Sequence, residues 1–325
     1  MIGQHASLTV VIAAFNEQAA LPAMHARLSK VLDALSLESR VLYVDDGSRD
    51  RTWAVLEGLA AQDPRVSLLR LSRNFGKELA LTAGLDLVDS DAAVVLDADG
   101  QDPPELLPTF VARWREGFDV VYGTRVSRAG ESWLKRTTAK AFYRVIQRLS
   151  NTEIPADAGD FRLMSRRVLD ALKGLRERQR FMKGLFAWVG YPQVSIPYQR
   201  EARLAGVSKF NYWRLWNFAL EGITSFSTAP LRAATYVGLT TAALAFAYGA
   251  WIIAKTLLWG DPVQGWPTMM AVVLFLGGVQ LMALGVIGEY LGRLYVETKQ
   301  RPLYLVQEWR PALSPEDSAR VRQQE

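Results

Sequence analysis

Asp97 and Asp99 stand one residue apart at the end of an apolar, β-branched run, in the stretch Val94-Val95-Leu96-Asp97-Ala98-Asp99-Gly100-Gln101-Asp102-Pro103-Pro104-Glu105. The run reads as a strand and the two prolines as the opening of a helix. With a single residue between them, the carboxylates can lie on one side of an extended backbone, with the Gln101 amide oxygen two residues further along. Hard oxygen donors so spaced suit a divalent ion such as Mg²⁺ or Mn²⁺, which keeps some water and completes its shell with phosphate oxygens. A polar turn with a helix cap would produce the same letters, and an isolated D-x-D is more often that. Other chemistry is narrowed by what is missing. The chain has no cysteine, so it has no disulfide, thiolate ligand or thiol nucleophile. His5 and His25 are its only imidazoles, which argues against a histidine zinc site or a histidine-based triad.

The elements that must position these acids repeat a single plan. Leu8 to Ala14 reads as a buried parallel strand running through Phe15-Asn16-Glu17 into a helix over roughly Gln18 to Leu35. Arg40 to Val44 is a second strand, closed by Asp45-Asp46-Gly47-Ser48, with a helix over Asp50 to Ala61. Val66 to Leu71 is a third, ending at Arg73-Asn74-Phe75-Gly76-Lys77 before a helix to about Val88. Ala92 to Leu96 is the fourth and carries the acidic stretch. Strands alternating with helices, with polar residues at each strand's end, specify an α/β doubly wound, mostly parallel sheet. In such sheets ligands bind at the carboxyl ends of the strands, which favours a site over a solvated turn.

Further along, Asp119 to Gly123 is a short strand ending in Thr124-Arg125, and Trp133 to Leu149 is an amphipathic basic helix. Asp157-Ala158-Gly159-Asp160-Phe161-Arg162 follows a break at Pro155; Phe181 to Val189 reads as helix and Gln193 to Tyr198 as a late strand. The segment Arg200 to Lys209 then combines Gly206 with Arg200, Arg203 and Lys209, the composition of a phosphate-seeking loop.

Half of the 325 residues are hydrophobic, and the excess is concentrated near the end of the chain. Tyr212, Trp213, Trp216, Phe218, Leu220 and Ile223 fit a helix lying in the headgroup plane. Ala233 to Ala254 carries no charge and spans roughly 33 Å as a helix, enough to cross a bilayer. Met269 to Leu291 is a second such segment, with Glu289 near its end and four residues before Arg293, a spacing at which the two can pair. Arg232, Arg293, Lys299 and Arg301 outnumber Lys255 at the intervening loop, so the positive-inside bias puts both ends of the hairpin in the cytosol. The first residues lack a secretory pattern, which keeps the N-terminal part on that same side. The expected organisation is therefore a cytosolic domain over 1–210, interfacial helices over 211–230, a two-helix transmembrane hairpin over 231–294 and a cytosolic tail over 295–325. A net charge of +5 is read as attraction to phosphates and anionic lipid, with no nucleic-acid partner.

Taken together, V-V-I-A-A-F-N-E, V-D-D-G-S-R-D, R-N-F-G-K-E, L-D-A-D-G-Q-D-P-P-E, Y-G-T-R, D-A-G-D-F-R-L-M and R-L-A-G-V-S-K, followed by two terminal spans, resemble the membrane-anchored family 2 glycosyltransferases that charge polyprenyl phosphates. The resemblance covers nearly the whole chain. Ala13 stands where that family usually has proline, and Gly100 where it usually has leucine. There is no Q-x-x-R-W, the signature of processive relatives, so one sugar per cycle is expected.

The resemblance implies a GT-A-type fold and an inverting transfer of one sugar from a nucleotide diphosphate donor, with UDP-glucose favoured. The acceptor would be undecaprenyl or another polyprenyl phosphate at the cytosolic face of a bacterial inner membrane. It implies that Asp97, Asp99 and Gln101 hold Mg²⁺ or Mn²⁺, and that Ala13, Phe15, Glu17, Asp46, Asn74, Lys77 and Asp97 bind the nucleotide. Arg125, Arg136, Arg162, Arg203, Ser208 and Lys209 would bind phosphate and acceptor. Asp157 joins Asp99 as the catalytic pair. A phosphate monoester has a second pKa of about 6, so the acceptor is already mostly dianionic at neutral pH, and Asp157 is expected to orient it or stabilise the sugar's positive charge as much as to take a proton. Asp160 and Arg162 could share these roles or pair with each other. Another donor, such as a UDP-amino sugar or GDP-mannose, and a non-catalytic nucleotide-binding scaffold are the alternatives. A homo-oligomer is compatible with all of them.

Overall fold

The computed structural model describes residues 6–126, 158–178, 180–199, 201, 229–259 and 265–312. The basic helix expected over Trp133 to Leu149, the in-plane helix around Tyr212 to Ile223, and the tail beyond Ala312 lie outside the described residues.

The four expected strand-then-helix units are present. They are β1 (Ser7–Ala14), α1 (Leu21–Ala34), β2 (Glu38–Asp45), α2 (Thr52–Gln62), β3 (Val66–Leu71), α3 (Lys77–Leu87) and β4 (Ala92–Asp97), with α4 (Leu107–Arg115) after a short 3₁₀ turn at Pro104–Leu106. Then come β5 (Val120–Arg125), β6 (Ala158–Ser165), α5 (Arg166–Gly174), α6 (Met182–Trp188) and β7 (Gln193–Tyr198). Two long helices, α7 (Ala229–Trp259) and α8 (Trp266–Thr298), precede the last strand, β8 (Val306–Arg310).

One sheet takes all these strands in the order β7-β5-β6-β4-β1-β2-β3-β8. The pairs β1 with β2, β1 with β4, β2 with β3 and β5 with β7 are parallel; β6 runs antiparallel between β4 and β5, and β8 antiparallel against β3. Reversal of β6 has a direct consequence for the site. The carboxyl ends of β1, β2, β4, β5 and β7 and the amino end of β6 meet at a single edge. Both faces of the sheet are covered: residues of α1, α2 and α4 pack with Leu8, Val10 and Ile12, while residues of α3, α5 and α6 pack with Val11, Val95 and Met164. Burial on both faces explains the near-continuous apolar strands.

Two elements carry no sequence signal strong enough to assign. β6 contains Gly159 and the charged Asp160 and Arg162, which break the apolar run expected of an inner strand. β8, Val-Gln-Glu-Trp-Arg, is a short half-polar edge strand, and only its pairing with β3 reveals it.

Gly47 shows how closely the loops on this edge approach. Its φ is +66°, and a Cβ there would stand 2.5 Å from the Arg73 carbonyl carbon and 2.7 Å from the Asn74 nitrogen, both backbone. Left-handed backbone and lack of space thus both demand glycine. Gly47→Ala is expected to cost about 1–3 kcal/mol. A melting curve of the purified protein should show a clear drop in Tm, and an unchanged Tm would contradict the tight loop packing.

α7 and α8 lie against one another as a hairpin, and both are long and apolar enough to cross a membrane, over Leu231–Trp259 and Val272–Thr298. Their surfaces carry large hydrophobic groups without protein cover: Phe246 is 85% exposed and Leu257 81%. Such continuous apolar exposure is what a lipid-facing helix presents and a water-facing one avoids. Glu289 and Arg293 form the expected pair, with oxygen and nitrogen 2.8 Å apart.

Candidate active site

The register sets the acids side by side. Ala13 pairs with Asp97 on one flank and Val44 on the other, and Ala14 pairs with Asp45, so the acidic ends of β2 and β4 flank the end of β1. The loops beyond are stitched together. Asn16, at a left-handed φ of 56°, donates its backbone N–H to Ser48 Oγ, and its side-chain oxygen accepts the Arg49 N–H. The Glu17 N–H reaches Thr52 Oγ1, and Gln18 Oε1 accepts the Arg51 N–H. Phe15 and Glu17 are held on this rim, half-buried.

Asp46 does something the sequence did not foretell. It is buried, and its carboxylate accepts the Phe75 N–H at 2.7 Å, the Gly76 N–H at 2.9 Å and the Asn74 side-chain amide at 3.0 Å. Burial raises its carboxyl above the ordinary value, and the two backbone donors oppose this. Asp46 and Asn74, both expected to touch nucleotide, are therefore engaged with each other, and Asp46 pins the turn that starts α3.

Lys77 opens α3 and is the electrostatic centre of the edge. Its ammonium lies 2.6 Å from Asp97 Oδ1 and 2.5 Å from Asp160 Oδ2. Burial works against its charge, but Asp160 and Asp97 outweigh burial and raise its pKa. For Asp160, burial alone would push the carboxyl up; Lys77 and then Lys183 overcome this and hold it well below the usual range. Lys183, from the first turn of α6, has its pKa lowered by burial despite Asp160. Glu78, next to Lys77, accepts the Met182 N–H at 3.2 Å. Burial, reinforced by the charge of Asp160, pushes Glu78 up to about 7. Asp160 thus pairs with Lys77 rather than with its neighbour Arg162.

Arg162, expected to grip acceptor phosphate, is 4% exposed on an inner strand. Its guanidinium donates to the Gly159 carbonyl at 2.7 Å and lies 3.8 Å from the centre of the Phe186 ring. Burial lowers its pKa to about 10. It braces the start of β6 from within. Arg125, at the end of β5, does reach the edge. Burial opposes its charge, but Tyr198, Asp102 and Asp97 raise its pKa. Tyr198 donates to the buried carboxylate of Asp102, which joins the end of β7 to the acidic loop.

The acidic loop itself turns at Gly100, whose φ is +70°. The family's usual leucine would be strained there, so the glycine matches the local backbone. Asp99 accepts the Gln101 N–H at 3.1 Å, the Gln101 amide donates to the Glu201 carbonyl at 3.2 Å, and the Glu201 N–H returns to the Gln101 carbonyl at 3.1 Å. Arg27 of α1 ties the same corner, 2.8 Å from Glu105 and 2.9 Å from Glu201. Among the described residues no cluster of three or more acidic or histidine side chains forms a ready-made metal cage. The donor set still fits a hard cation that takes part of its shell from a ligand's phosphates: Asp99 and Gln101 share one turn, and Asp97 stands two residues away, held by Lys77. Arg136, Asp157, Arg203, Ser208 and Lys209 lie outside the described residues; β6 begins at Ala158, so Asp157 immediately precedes the strand that delivers Asp160. Sequence reading missed Glu78, Lys183, Tyr198 and Arg27. Only Glu78, beside Lys77 in R-N-F-G-K-E, had a local signal.

Residues 9–173 match the domain described as glycosyl transferase family 2, and residues 229–294 match the GtrB C-terminal hairpin. An uncharacterized glycosyltransferase, sll0501, from Synechocystis is 52% identical over 92% of this chain and 94% of its own. The bactoprenol glucosyl transferase of Shigella phage SfX is 47% identical over 92% and 98% of the two chains. A prophage bactoprenol glucosyl transferase homolog from Escherichia coli K12 is 46% identical over 92% and 98%. With a GT-A-type sheet bearing acids at one edge and an apolar hairpin at its end, the chain belongs to glycosyl transferase family 2.

Proposed function

We propose that this protein is a polyprenyl-phosphate glycosyltransferase that moves one glucose from UDP-glucose to undecaprenyl phosphate, with inversion, at the cytosolic face of a bacterial inner membrane. A single observation supports this most directly: the acid-lined edge and the apolar hairpin belong to one chain that aligns across both parts with a bactoprenol glucosyl transferase. A phosphate oxygen of the lipid forms the new bond to the sugar's anomeric carbon as the bond to the nucleotide diphosphate breaks.

We assign roles to the chain's own residues from the chemistry of each and from the family resemblance. Phe15 and Glu17 on the β1 rim are assigned to the base and ribose, carboxylate oxygens being natural acceptors for their N–H and O–H groups. Asp46 and Asn74 shape the neighbouring turn. Asp99 and Gln101, with Asp97, would hold Mg²⁺ or Mn²⁺, which when bound supplies positive charge against the departing diphosphate. Lys77 and Arg125 contribute fixed positive charge at the same edge. Asp157, with Arg136, Arg203, Ser208 and Lys209, is assigned to the acceptor side. Return of β8 to the sheet after α8 supports a hairpin whose two ends lie on the side of the catalytic domain.

Purified protein supplied with undecaprenyl phosphate and radiolabelled UDP-glucose, UDP-N-acetylglucosamine and GDP-mannose, with and without a chelator, tests the reading. Labelled lipid is expected from UDP-glucose, with the opposite anomeric configuration to the donor, and its formation should fall on chelation. A higher rate with another donor would overturn the choice of sugar. Absence of labelled lipid from all three would overturn the transfer.

A further inference from the structure

Where α8 ends, the chain turns back onto the catalytic domain, and four segments converge. Glu297, in the last turn of α8, accepts the backbone N–H of Arg178 at 3.1 Å, and the Arg178 guanidinium lies 3.8 Å from its other oxygen. The same guanidinium donates to the Arg301 carbonyl at 2.6 Å. Two residues earlier in the α5–α6 connection, Arg176 stands 2.7 Å from Asp86, near the end of α3. Asp86 also accepts the Tyr304 hydroxyl at 2.8 Å. The next residue, Leu305, accepts the Ser72 N–H at 2.9 Å and leads into β8. None of these groups is a ligand of the edge described above.

We infer that this junction is a dock that fixes the catalytic edge at a set height and tilt relative to the hairpin, with Arg178 and Glu297 as positioning residues. An exposed ion pair by itself contributes little. Here the Arg178 side chain is only 15% exposed, and both its backbone and its side chain are used. The dock holds the catalytic domain at Asp86 of α3, at the opposite end of that helix from Lys77. A catalytic domain free to swivel would meet a membrane-embedded phosphate in many orientations, whereas transfer needs one, and small misplacements of reacting groups are costly.

This rests on the proposed lipid acceptor, so the experiment compares two acceptors of the same chemistry: undecaprenyl phosphate in liposomes holding the full-length protein, and water-soluble geranyl phosphate. Arg178→Ala and Glu297→Ala are each expected to lower kcat/KM on the liposome acceptor about tenfold while changing it on geranyl phosphate less than about twofold. The double variant should be no worse than either single one, because both remove the same contact. Activity on geranyl phosphate itself reports folding; should either alanine variant fail to fold, Glu297→Gln reads the same comparison. Equal losses on both acceptors, additive losses, or no loss on liposomes would overturn the dock. A wild-type protein inactive on both acceptors would instead overturn the proposed transfer.

Discussion

Asp99→Asn is expected to lower the rate of sugar transfer by about 10²–10³-fold, in the range lost when a group stabilising transition-state charge is removed. The asparagine is chosen because Asp99 has two tasks. Its Oδ1 accepts the Gln101 N–H inside the acidic turn, and an amide oxygen can keep that bond. What asparagine removes is the negative charge beside Asp97 and Gln101. The Tm should therefore stay close to wild type while Mn²⁺ binding, followed by titration calorimetry, weakens together with turnover. Retained turnover with weakened Mn²⁺ binding would separate the ion from the chemistry. Retained Mn²⁺ binding would show that the acidic turn is not its seat.

The unequal treatment of the two acids at this turn marks what a sequence can and cannot disclose. Asp97-Ala98-Asp99 looks symmetrical as letters, and the strand before it is legible from its continuous apolar run, as are the strands ending at Ala14, Asp45 and Leu71. Period and turn residues are local, so they survive in one dimension. Partnerships are not local. Asp97 is bound to Lys77, twenty residues earlier, and Lys77 is bound to Asp160, eighty-three residues later. Only the crossing order of the sheet, with β6 reversed against β4, brings the three together. The same cause hid the surroundings of Arg162, which stands buried on an inner strand with its guanidinium against the Phe186 ring. β8 was illegible for a different reason: a short strand at a sheet edge needs no strong apolar pattern, because its residues stay largely exposed on both faces.

Asp46 adds a physical lesson about acidic turns. Three donors from one loop converge on its carboxylate, an arrangement that fixes the loop before any ligand arrives. Preorganisation of that kind lets Lys77 stand ready at the start of α3, so the cost of ordering the site is met during folding instead of at the moment of reaction.

The second large effect is expected at Lys77. Lys77→Met keeps most of the length of the side chain and removes its charge, leaving Asp97 and Asp160 without the cation that lies within 2.6 Å of both. Turnover should fall by about 10²-fold. The pH dependence separates an electrostatic role from a packing role. Glu78, already pushed up to about 7 by burial and then by Asp160, loses the nearby positive charge that opposes this, so its pKa should climb further. Asp160, held low by Lys77 and Lys183 against burial, should rise as well. Both shifts favour the protonated acids, so the acid limb of the kcat profile should move to higher pH in the variant. Stability follows the same signs. A carboxylate whose folded pKa is depressed stabilises the fold above its unfolded pKa and loses that contribution as pH falls through the folded value. Removing Lys77 takes away part of the Asp160 contribution, so the variant should melt lower at neutral pH and converge on wild type in acid. Lys77→Arg, which restores a cation with different geometry, should recover the pH profile more fully than the rate. A methionine variant with wild-type turnover and an unmoved acid limb would mean that the lysine merely fills space between two acids, and that the positive charge needed by the departing nucleotide comes from elsewhere.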